Sequence, residues 1–387
     1  MLSIKDMDFS NKKVFLRCDF NLPLKNNKVT SDLRIRQALQ TIEFILSQHP
    51  KQLILASHLG RPLTSDASLS LKIILPILKK YLGKPVYFHK DVYEPLLPSK
   101  KIVLLENLRF WPQEQKSSKS FSLRLKKFAD IYVNDAFGTA HRKDASVYTL
   151  PKLFPSSKKT CGFLMQKELD EIHFHQQKPL VFILGPAKIK DKLPLFEKVF
   201  RNADKVLLGG GVVFTFLKAQ GFDVGKSLLE PKMVPKAKEL LKKYSKKILL
   251  PKDFLAIKPN NLSKPFSQRK KLVHVVDAKK IPSSMACLDL GPKSIELFSQ
   301  AILFSKTIMW NGPVGFFEIS PFDKGTKALA KTIILSKAHS VICGGDTASA
   351  MKKTSFKEQF SHISTGGGAS LYVLSGKKLP ALIALEK

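Results

Sequence analysis

The chain has few cysteines and no long apolar run, and each shortage argues against a class of protein. Its four cysteines, Cys18, Cys161, Cys287 and Cys343, are scattered and form no CxxC pair, so we expect neither a disulfide framework nor a zinc site. No stretch approaches the roughly 18 apolar residues of a membrane span. The opening segment MLSIKDMDFSNKK has no apolar region typical of a secretory signal. These features predict a cytoplasmic protein that has no membrane partner.

Acidic residues are also scarce. There are 31 of them against 65 lysines and arginines, which gives a formal net charge of +34. Such a charge attracts nucleic acid, anionic membranes and anionic metabolites. The lysines are spread along the whole chain, and between residues 231 and 247 they surround one apolar helical face, as on a solvated helix. Two interpretations of the excess stay open. One is a lysine-biased proteome, and the other is weak, non-specific binding of polyanions.

The length and the hydrophobic pattern predict two α/β domains. The chain has 387 residues, and domains usually have about 100–200. Short, continuous hydrophobic runs alternate with amphipathic stretches, as in parallel sheets covered on both faces. We therefore expect two Rossmann-like lobes, each a parallel β-sheet flanked by helices, joined by a hinge helix. The Pro/Ser/Lys-rich segment 153–159 predicts a boundary between residues 1–157 and 158–362, and a helix follows at 163–174.

In the first half, polar and cationic side chains follow the predicted strands. In open parallel sheets, ligands bind at the carboxyl ends of the strands. Arginine forks match the geometry of carboxylates and phosphates. The pattern predicts a site for a small, doubly anionic substrate. The residues in question are Asp19, Asn21, Arg34, His58, Arg61, Arg109 and Arg142.

In the second half, the predicted strands end in glycines, including Gly185, Gly210, Gly344 and Gly367. Glycine turns before helices let backbone N–H groups approach phosphates, and a nearby aspartate such as Asp346 can hold Mg²⁺. No GxxxxGK[ST] segment is present, which excludes a P-loop ATPase. Together the two halves predict phosphoryl transfer between a nucleotide and a small anion, with hinge closure excluding water.

Seven segments, in order along essentially the whole chain, resemble the phosphoglycerate kinase family. They are DFNLP (19–23), SHLGRP (57–62), LENLRF (105–110), NDAFGTAHR (134–142), WNGPVG (310–315), GGDT (344–347) and STGGGAS (364–370). The resemblance implies reversible transfer from 1,3-bisphosphoglycerate to Mg-ADP, giving 3-phosphoglycerate and ATP in glycolysis or gluconeogenesis. It also implies a monomer and direct transfer without a covalent enzyme intermediate.

The resemblance also implies roles for individual residues. The seven polar residues of the first half would bind phosphoglycerate, and segment 363–387 would pack back on that domain. The catalytic set would be Arg34, Lys188, Lys192, Gly345 and Gly368. The nucleotide would contact Lys192, Gly210, Asn311, Glu318, Gly344, Gly345, Asp346 and Thr347, and Asp346 would also hold Mg²⁺.

Four residues depart from the pattern of the family, all in the second half: Pro186, Lys190, Phe316 and Cys343. By the resemblance, Pro186 and Phe316 stand near the nucleotide base, and a proline there fixes φ and removes a donor. Neutral drift and a reshaped base pocket both explain them.

Two other functions remain alternatives: a polyanion-binding protein on the same scaffold, and a different acid kinase. The SHLGRP and NDAFGTAHR segments argue against the latter.

Overall fold

The structure, a computed structural model, describes residues 2–62, 64–173, 177–190, 193–352 and 359–386. The chain divides into two compact units. Unit 1 comprises Met1–Asp170 with Lys378–Lys387, and unit 2 comprises Glu171–Lys377. These borders differ from the predicted residues 157 and 363, and the functional assignment of each domain stays a prediction.

Unit 1 is built on a parallel sheet. Its elements, in chain order, are β1 (Lys13–Arg17), β2 (Leu24–Lys25), β3 (Lys28–Val29), α1 (Leu33–Ser47), β4 (Gln52–Ala56), α2 (Leu75–Leu82), β5 (Tyr87–His89), β6 (Ile102–Leu105), α3 (Pro112–Gln115), α4 (Lys119–Lys126), β7 (Ile131–Asn134), β8 (Lys159–Cys161) and α5 (Phe163–His173), which crosses the border between the units. The described strands pair in the order β5-β6-β4-β1-β7-β8, all parallel. Strands β4, β6 and β7 are buried throughout, which confirms the parallel sheet predicted from continuous hydrophobic runs.

Helix α1 shows how the sequence pattern places the first helix against this sheet. Its apolar residues recur at helical spacing, and Ile35, Ala38, Ile42 and Ile45 are buried. Asp32 stands at the N-cap position but makes no side-chain cap bond. Its carboxylate instead accepts hydrogen bonds from Arg36 Nε at 3.0 Å and from the Tyr81 hydroxyl at 2.5 Å.

Unit 2 contains a second parallel sheet and a smaller antiparallel one. Its elements are β9 (Leu180–Leu184), α6 (Leu193–Asn202), β10 (Lys205–Leu208), α7 (Val212–Ala219), α8 (Val234–Tyr244), β11 (Ile248–Leu249), β12 (Asp253–Ile257), α9 (Phe266–Lys271), β13 (His274–Asp277), β14 (Ala286–Leu290), α10 (Pro292–Leu303), β15 (Thr307–Asn311), α11 (Lys324–Ser336), β16 (His339–Cys343), α12 (Gly345–Lys352), β17 (His362–Ile363) and α13 (Gly368–Leu374). The parallel order is β11-β10-β9-β15-β16-β17, and the antiparallel order is β13-β12-β14.

Each unit has its own hydrophobic core. Leu16, Ile35 and Leu53 belong to the core of unit 1, whereas Ile183, Phe254 and Trp310 belong to that of unit 2. In the described part of the chain, no helix combines the length and the apolar composition that a membrane span requires. The two cores agree with the fold class predicted from the sequence.

The last helix, α14 (Pro380–Glu386), belongs to unit 1 and is held there by a buried lysine. Lys159, at the start of β8, is 1 % exposed. Its Nζ donates to Pro151 O at 3.2 Å and to Ala384 O at 3.1 Å. Burial lowers the pKa of this ammonium group. Backbone carbonyls therefore replace water around the charge and link α14 to the sheet.

We expect Lys159→Met to lower the free energy of unfolding by about 2 kcal/mol, because Ala384 O loses its bond from Lys159 and Pro151 O keeps only the bond from Phe154 N. Urea unfolding measures this change, and limited proteolysis reports whether α14 loosens. The matched control is Lys158→Met, which makes the same substitution at the adjacent residue, where the lysine is only half-buried. Equal stability of the two variants would contradict the role of Lys159.

Candidate functional site

In unit 1, an aspartate–arginine pair lies at the carboxyl edge of the sheet. Asp19 follows β1, and its carboxylate is paired with the guanidinium of Arg34 in the first turn of α1. Asn21 Oδ1 accepts a hydrogen bond from Gly60 N at 2.8 Å, which joins the loop after β1 to the loop after β4. The Arg34 side chain remains 29 % exposed. One face of the pair is therefore open to a ligand.

Gly138 makes this pair possible. A Cβ atom at Gly138 would lie 2.3 Å from Asp19 Oδ2 and 3.4 Å from Arg34 Nη1. Only a glycine leaves room for the paired carboxylate at this point. Sequence reasoning included Gly138 in a motif without assigning it a role, because a close approach of distant segments leaves no local signal.

His58 is held neutral beside a buried arginine. It is 3 % exposed, and its Nδ1 lies 3.4 Å from Arg17 Nη2. Burial lowers the pKa of His58 well below its usual range, and the charges of Arg17, Arg109, Arg34 and Arg142 add to the effect. A guanidinium only donates hydrogen bonds, so Nδ1 is the acceptor and Nε2 carries the proton. His58 thus has an Nε2–H group to donate.

Sequence reasoning missed Arg17 because it considered residues that follow strands, and Arg17 is the last residue of β1. It is fully buried. Its Nε donates to Ser146 Oγ at 2.8 Å, and its Nη1 donates to Cys18 O. These bonds fix the guanidinium that faces His58.

Arg109 is a second buried cation at this edge. It is 2 % exposed, and its Nη1 donates to Gly60 O at 2.8 Å. Its Nη2 pairs with Asp144 Oδ2 at 3.3 Å. Burial lowers the pKa of the guanidinium, and the Asp144 carboxylate opposes that shift. Among the described residues, Arg109 Nε has no hydrogen-bond partner, which leaves a buried donor for a ligand to satisfy.

Two further arginines were predicted for this site. Arg142 is half-buried, and its charge lowers the pKa of both His58 and Arg109, so it belongs to the same cluster. Arg61 follows Gly60 in the loop after β4, and its side chain is exposed. The described residues therefore bring together Asp19, Arg34, His58, Arg109 and Arg142, with Arg61 on an adjoining loop.

In unit 2, a cavity of about 560 Å³ opens at the carboxyl edge of the parallel sheet. This volume is typical of small-ligand sites. Four predicted residues line it: Lys188, Gly210, Glu318 and Asp346. Pro186 and Phe316, which depart from the pattern of the resembling family, line it as well. The structure therefore brings these four predicted residues together around one cavity, and their roles stay a prediction.

Three glycines form the floor of the cavity by packing backbone against backbone. A Cβ atom on Gly185 would lie 2.1 Å from Pro313 O, and one on Gly210 would lie 2.3 Å from Gly185 O. Gly210 and Gly312 also have φ values of +60° and +88°, which favour glycine. Glycine is thus required at these positions because the strand ends contact one another closely, and not only because a phosphate would approach the backbone.

The turn after β16 leads into α12. Gly344 has a φ of +92°. The buried Thr347 hydroxyl accepts from Gly312 N at 2.7 Å and donates to Cys343 O at 2.8 Å. Asn311 Nδ2 also donates to Cys343 O, at 3.0 Å. The side chains of Asn311 and Thr347 therefore brace the turn, and the exposed Gly345 and Asp346 begin the helix.

The donor set fits Mg²⁺ bound together with phosphates. Mg²⁺ is usually held by one or two carboxylates and by phosphate oxygens. Asp346 is exposed and lines the cavity. Within the described ranges, no group of three His, Cys, Asp or Glu side chains is placed to hold a metal ion. A magnesium ion at Asp346 would therefore need the phosphate oxygens of a nucleotide, together with water, as its other ligands.

Among the described residues, the predicted Asn311, Gly344, Gly345, Thr347 and Gly368 are not part of the lining of this cavity. Lys192 lies outside the described residues. Gly368 begins α13 in unit 2, after Gly367 with a φ of +50°, and neither lines the cavity. Gly344 contacts Asn311, since a Cβ on it would lie 2.6 Å from Asn311 Nδ2.

Sequence reasoning also missed a buried carboxyl group in the cavity wall. Asp289 is 2 % exposed and lines the cavity. It accepts hydrogen bonds from Leu290 N at 2.9 Å and from Gly325 N at 2.8 Å. Burial raises the pKa of Asp289 to about 8 despite these two bonds. It lies in β14, one of the antiparallel strands that the sequence did not reveal.

Comparisons with known proteins agree on one family. The model of the family described as phosphoglycerate kinase matches residues 4–377. A phosphoglycerate kinase of Solibacter usitatus is 41 % identical over 400 residues, covering 100 % of this chain and 99 % of the relative. The cytosolic phosphoglycerate kinase of Nicotiana tabacum is 41 % identical over 401 residues, covering 99 % and 98 %.

Solved structures give the same result. The phosphoglycerate kinase structure from Coxiella burnetii aligns with a TM-score of 0.90 at 34 % identity, covering 100 % of this chain and 98 % of that one. The structure from Pyrococcus horikoshii OT3 aligns with a TM-score of 0.83 at 31 % identity, again covering 100 % and 98 %.

The raised pKa of Asp289 predicts a pH-dependent stability. Its pKa is about 8 in the folded protein against an ordinary value of 3.8. Its stabilising contribution is therefore complete below about pH 4 and is lost as the pH rises to about 8, because only the unfolded chain releases the proton in that window. We expect Asp289→Asn to flatten this decline, as followed by thermal unfolding between about pH 5 and 8.

The control is Asp277→Asn, which removes an exposed carboxylate of the same unit. It should leave the pH dependence of the melting temperature unchanged. If the two variants had the same slope as the parent protein, Asp289 would not be protonated in the folded state at neutral pH.

Proposed function

Because the chain belongs to the phosphoglycerate kinase family of phosphotransferases, we propose that it uses the two described sites to transfer a phosphoryl group between 1,3-bisphosphoglycerate and Mg-ADP. The products are 3-phosphoglycerate and ATP, and the reaction is reversible. The observation that supports this most is the cluster of cations at the carboxyl edge of unit 1. A glycine-floored cavity of nucleotide size in unit 2 complements it.

The cation cluster suits a small phosphorylated acid. Arg34, Arg61, Arg109 and Arg142 supply positive charge, and His58 supplies a neutral donor. Asp19 and Asp144 offset part of that charge through their pairs with Arg34 and Arg109. The remaining excess is positive, which matches a ligand that has a carboxylate and a phosphate. Asn21 holds the two loops that surround this ligand.

The cavity in unit 2 suits a nucleoside diphosphate. Leu288, Val314 and Phe316 offer apolar surface to a base, whereas Lys188 and Asp346 lie where phosphates and Mg²⁺ would bind. Glu318 is exposed in the wall and would accept hydrogen bonds from ribose hydroxyls. When bound, Mg²⁺ would neutralise charge on the phosphate oxygens. Backbone N–H groups at Gly345 and Thr347 would add donors at the start of α12.

The transfer itself needs positioning and charge stabilisation rather than a nucleophile from the protein. Arg34 would stabilise the phosphoryl group in flight, and Lys188 and Lys192 would neutralise its charge. Gly345 and Gly368 complete the proposed catalytic set. Because the two ligands bind to different units, the proposal includes hinge bending that excludes water. We also propose that the enzyme is a monomer and that it is cytoplasmic.

Pro186 and Phe316, which differ from the pattern of the family, would alter the preference of the enzyme for the nucleotide base. Phe316 is 37 % exposed and lines the cavity together with Pro186. Michaelis constants for ADP, GDP and IDP measure this preference directly. Ordinary values for ADP alone would assign both departures to neutral drift.

We expect Arg34→Ala to lower kcat by at least about 100-fold, because it removes a cation that stabilises the transferring charge. Steady-state kinetics with 3-phosphoglycerate and Mg-ATP measures the effect. The matched control is Arg36→Ala on the same helix, since Arg36 is exposed and pairs with Asp32. A near-normal kcat for Arg34→Ala would refute the role of Arg34 in the transfer.

We expect Asp346→Ala to weaken binding of Mg-nucleotide by about 10-fold or more while 3-phosphoglycerate binds as before, since the carboxylate serves only the metal. Calorimetric titration of each ligand separately measures both affinities. Removal of Mg²⁺ with a chelator should reduce the difference between the variant and the parent protein. An equal loss of affinity for both ligands would show that Asp346 is wrongly assigned.

A further inference from the structure

The amino edge of the unit 1 sheet, opposite the proposed phosphoglycerate site, has a row of lysines. All strands of a parallel sheet begin at one edge, so residues that precede the strands lie side by side. Lys84 precedes β5, Lys100 and Lys101 precede β6, and Lys51 precedes β4. All four side chains are exposed. They cover one half of the edge.

The other half has the same pattern. Lys12 precedes β1 and Lys13 begins it, Lys127 stands four residues before β7, and Lys158 precedes β8. Lys127 is exposed, and the other three are half-buried. A lysine therefore stands at, or up to four residues before, the start of each of the six described strands. We call these eight residues the lysine row.

Backbone hydrogen bonds join the segments before β6, β4, β1 and β7 at this edge. Leu53 N, one residue into β4, donates to Lys101 O at 2.8 Å, and Lys51 N donates to Lys12 O at 2.9 Å. Asp130 N, just before β7, donates to Lys13 O at 2.8 Å. With neighbouring strands about 4.8 Å apart, six strands give a row roughly 24 Å long.

Asp130 is the acidic residue that lines a cavity together with five lysines of the row, and it forms no ion pair with them. None of the ion pairs between described residues includes one of these eight lysines. Elsewhere lysines are paired: Lys236 Nζ lies 2.9 Å from both Glu197 Oε1 and Glu239 Oε1. Like charges held in a row repel one another, and a polyanion along the row relieves the repulsion.

Two cavities open along the row. One, of about 620 Å³, is lined by Lys12, Lys13, Lys51, Lys127 and Lys158, and Asp130 is the carboxylate in its lining. The other, of about 560 Å³, is lined by apolar residues and by lysines. Its lining includes Pro50, Pro85 and Tyr87 together with Lys84, Lys100 and Lys101. Lys100 Nζ lies over the Tyr87 ring, 5.7 Å from its centroid, so cation and ring are presented together.

We propose that the lysine row binds single-stranded nucleic acid, with phosphates along the lysines and one base in the pocket beside Tyr87. An aromatic ring in a recessed pocket favours a flat base, and a stretch of unpaired strand can turn a base into it. Lysine contacts phosphates as a point charge and does not form the bidentate bonds by which arginine identifies bases. The binding is therefore independent of sequence and falls steeply with salt.

The test compares two variants of equal net charge. Lys51→Gln/Lys100→Gln/Lys101→Gln alters the row, and Lys238→Gln/Lys242→Gln/Lys243→Gln removes three exposed lysines from α8 of unit 2. Fluorescence anisotropy with a labelled oligonucleotide of about 12 nucleotides gives the affinity at several salt concentrations. Both variants should keep normal kinase activity and melting temperature, since neither touches the proposed active site.

We expect the row variant to lose affinity by about 10-fold near 0.1 M salt and the slope of log K against log [salt] to fall by about 2, because three phosphate contacts are lost. The α8 variant should change affinity less than about 2-fold. Tyr87→Leu should weaken binding about 5-fold or more without changing the slope, since stacking does not depend on released counterions.

Three outcomes would overturn the proposal. One is an equal loss of affinity in the two triple variants, which would assign the binding to net charge alone. Another is displacement of the oligonucleotide by saturating 3-phosphoglycerate, which would place it in the proposed active site. The third is tighter binding to vesicles of anionic lipid than to the oligonucleotide, with the same dependence on the row, which would make this edge a membrane-docking surface.

Discussion

Buried positive charge at the carboxyl edge of the unit 1 sheet is the constraint on which the rest of this site depends. An arginine removed from water is costly unless every donor finds a partner. Arg17 donates to Ser146 Oγ, and Ser146 in turn donates to the buried Glu114 from its N at 2.9 Å and its Oγ at 2.5 Å. Arg109 is satisfied by Asp144 and Gly60 O except at Nε. These partners lie in different segments, so compensating these charges also shapes the proposed substrate site.

Much of this could be predicted because a parallel sheet brings together the residues that follow its strands. The sequence therefore located Asp19, His58 and Arg109, and in unit 2 Gly210 and Asp346. It missed what depends on contacts between distant segments. Arg17 and Asp289 stand within strands and read as core positions, and the antiparallel strand β13 is mostly exposed and follows a lysine-rich helix. The need for Gly185 and Gly138 arises from atoms of remote residues, which no local pattern records.

The two edges of the unit 1 sheet use cations differently. At the carboxyl edge, arginines are buried and held in fixed directions by carboxylates and carbonyls, which suits one small anion of defined shape. At the amino edge, five of the eight lysines are exposed and none forms an ion pair with a described residue, which suits a long anion of variable shape. The excess of positive charge thus suits the proposed substrate site at one edge and the proposed nucleic-acid surface at the other.

One motif joins the proposed substrate site to the helix that crosses the border between the units. Gly138 leaves room for the Asp19–Arg34 pair. Three residues earlier, the buried Asp135 accepts a hydrogen bond from Met165 N at 3.0 Å, in the first turn of α5. Burial raises the pKa of Asp135 to about 6, and bonds from Met165, Thr41 and Leu164 oppose the shift. A carboxylate at that position stabilises the start of the helix. The four residues 135–138, directly after β7, therefore contribute both to the proposed substrate site and to the start of α5.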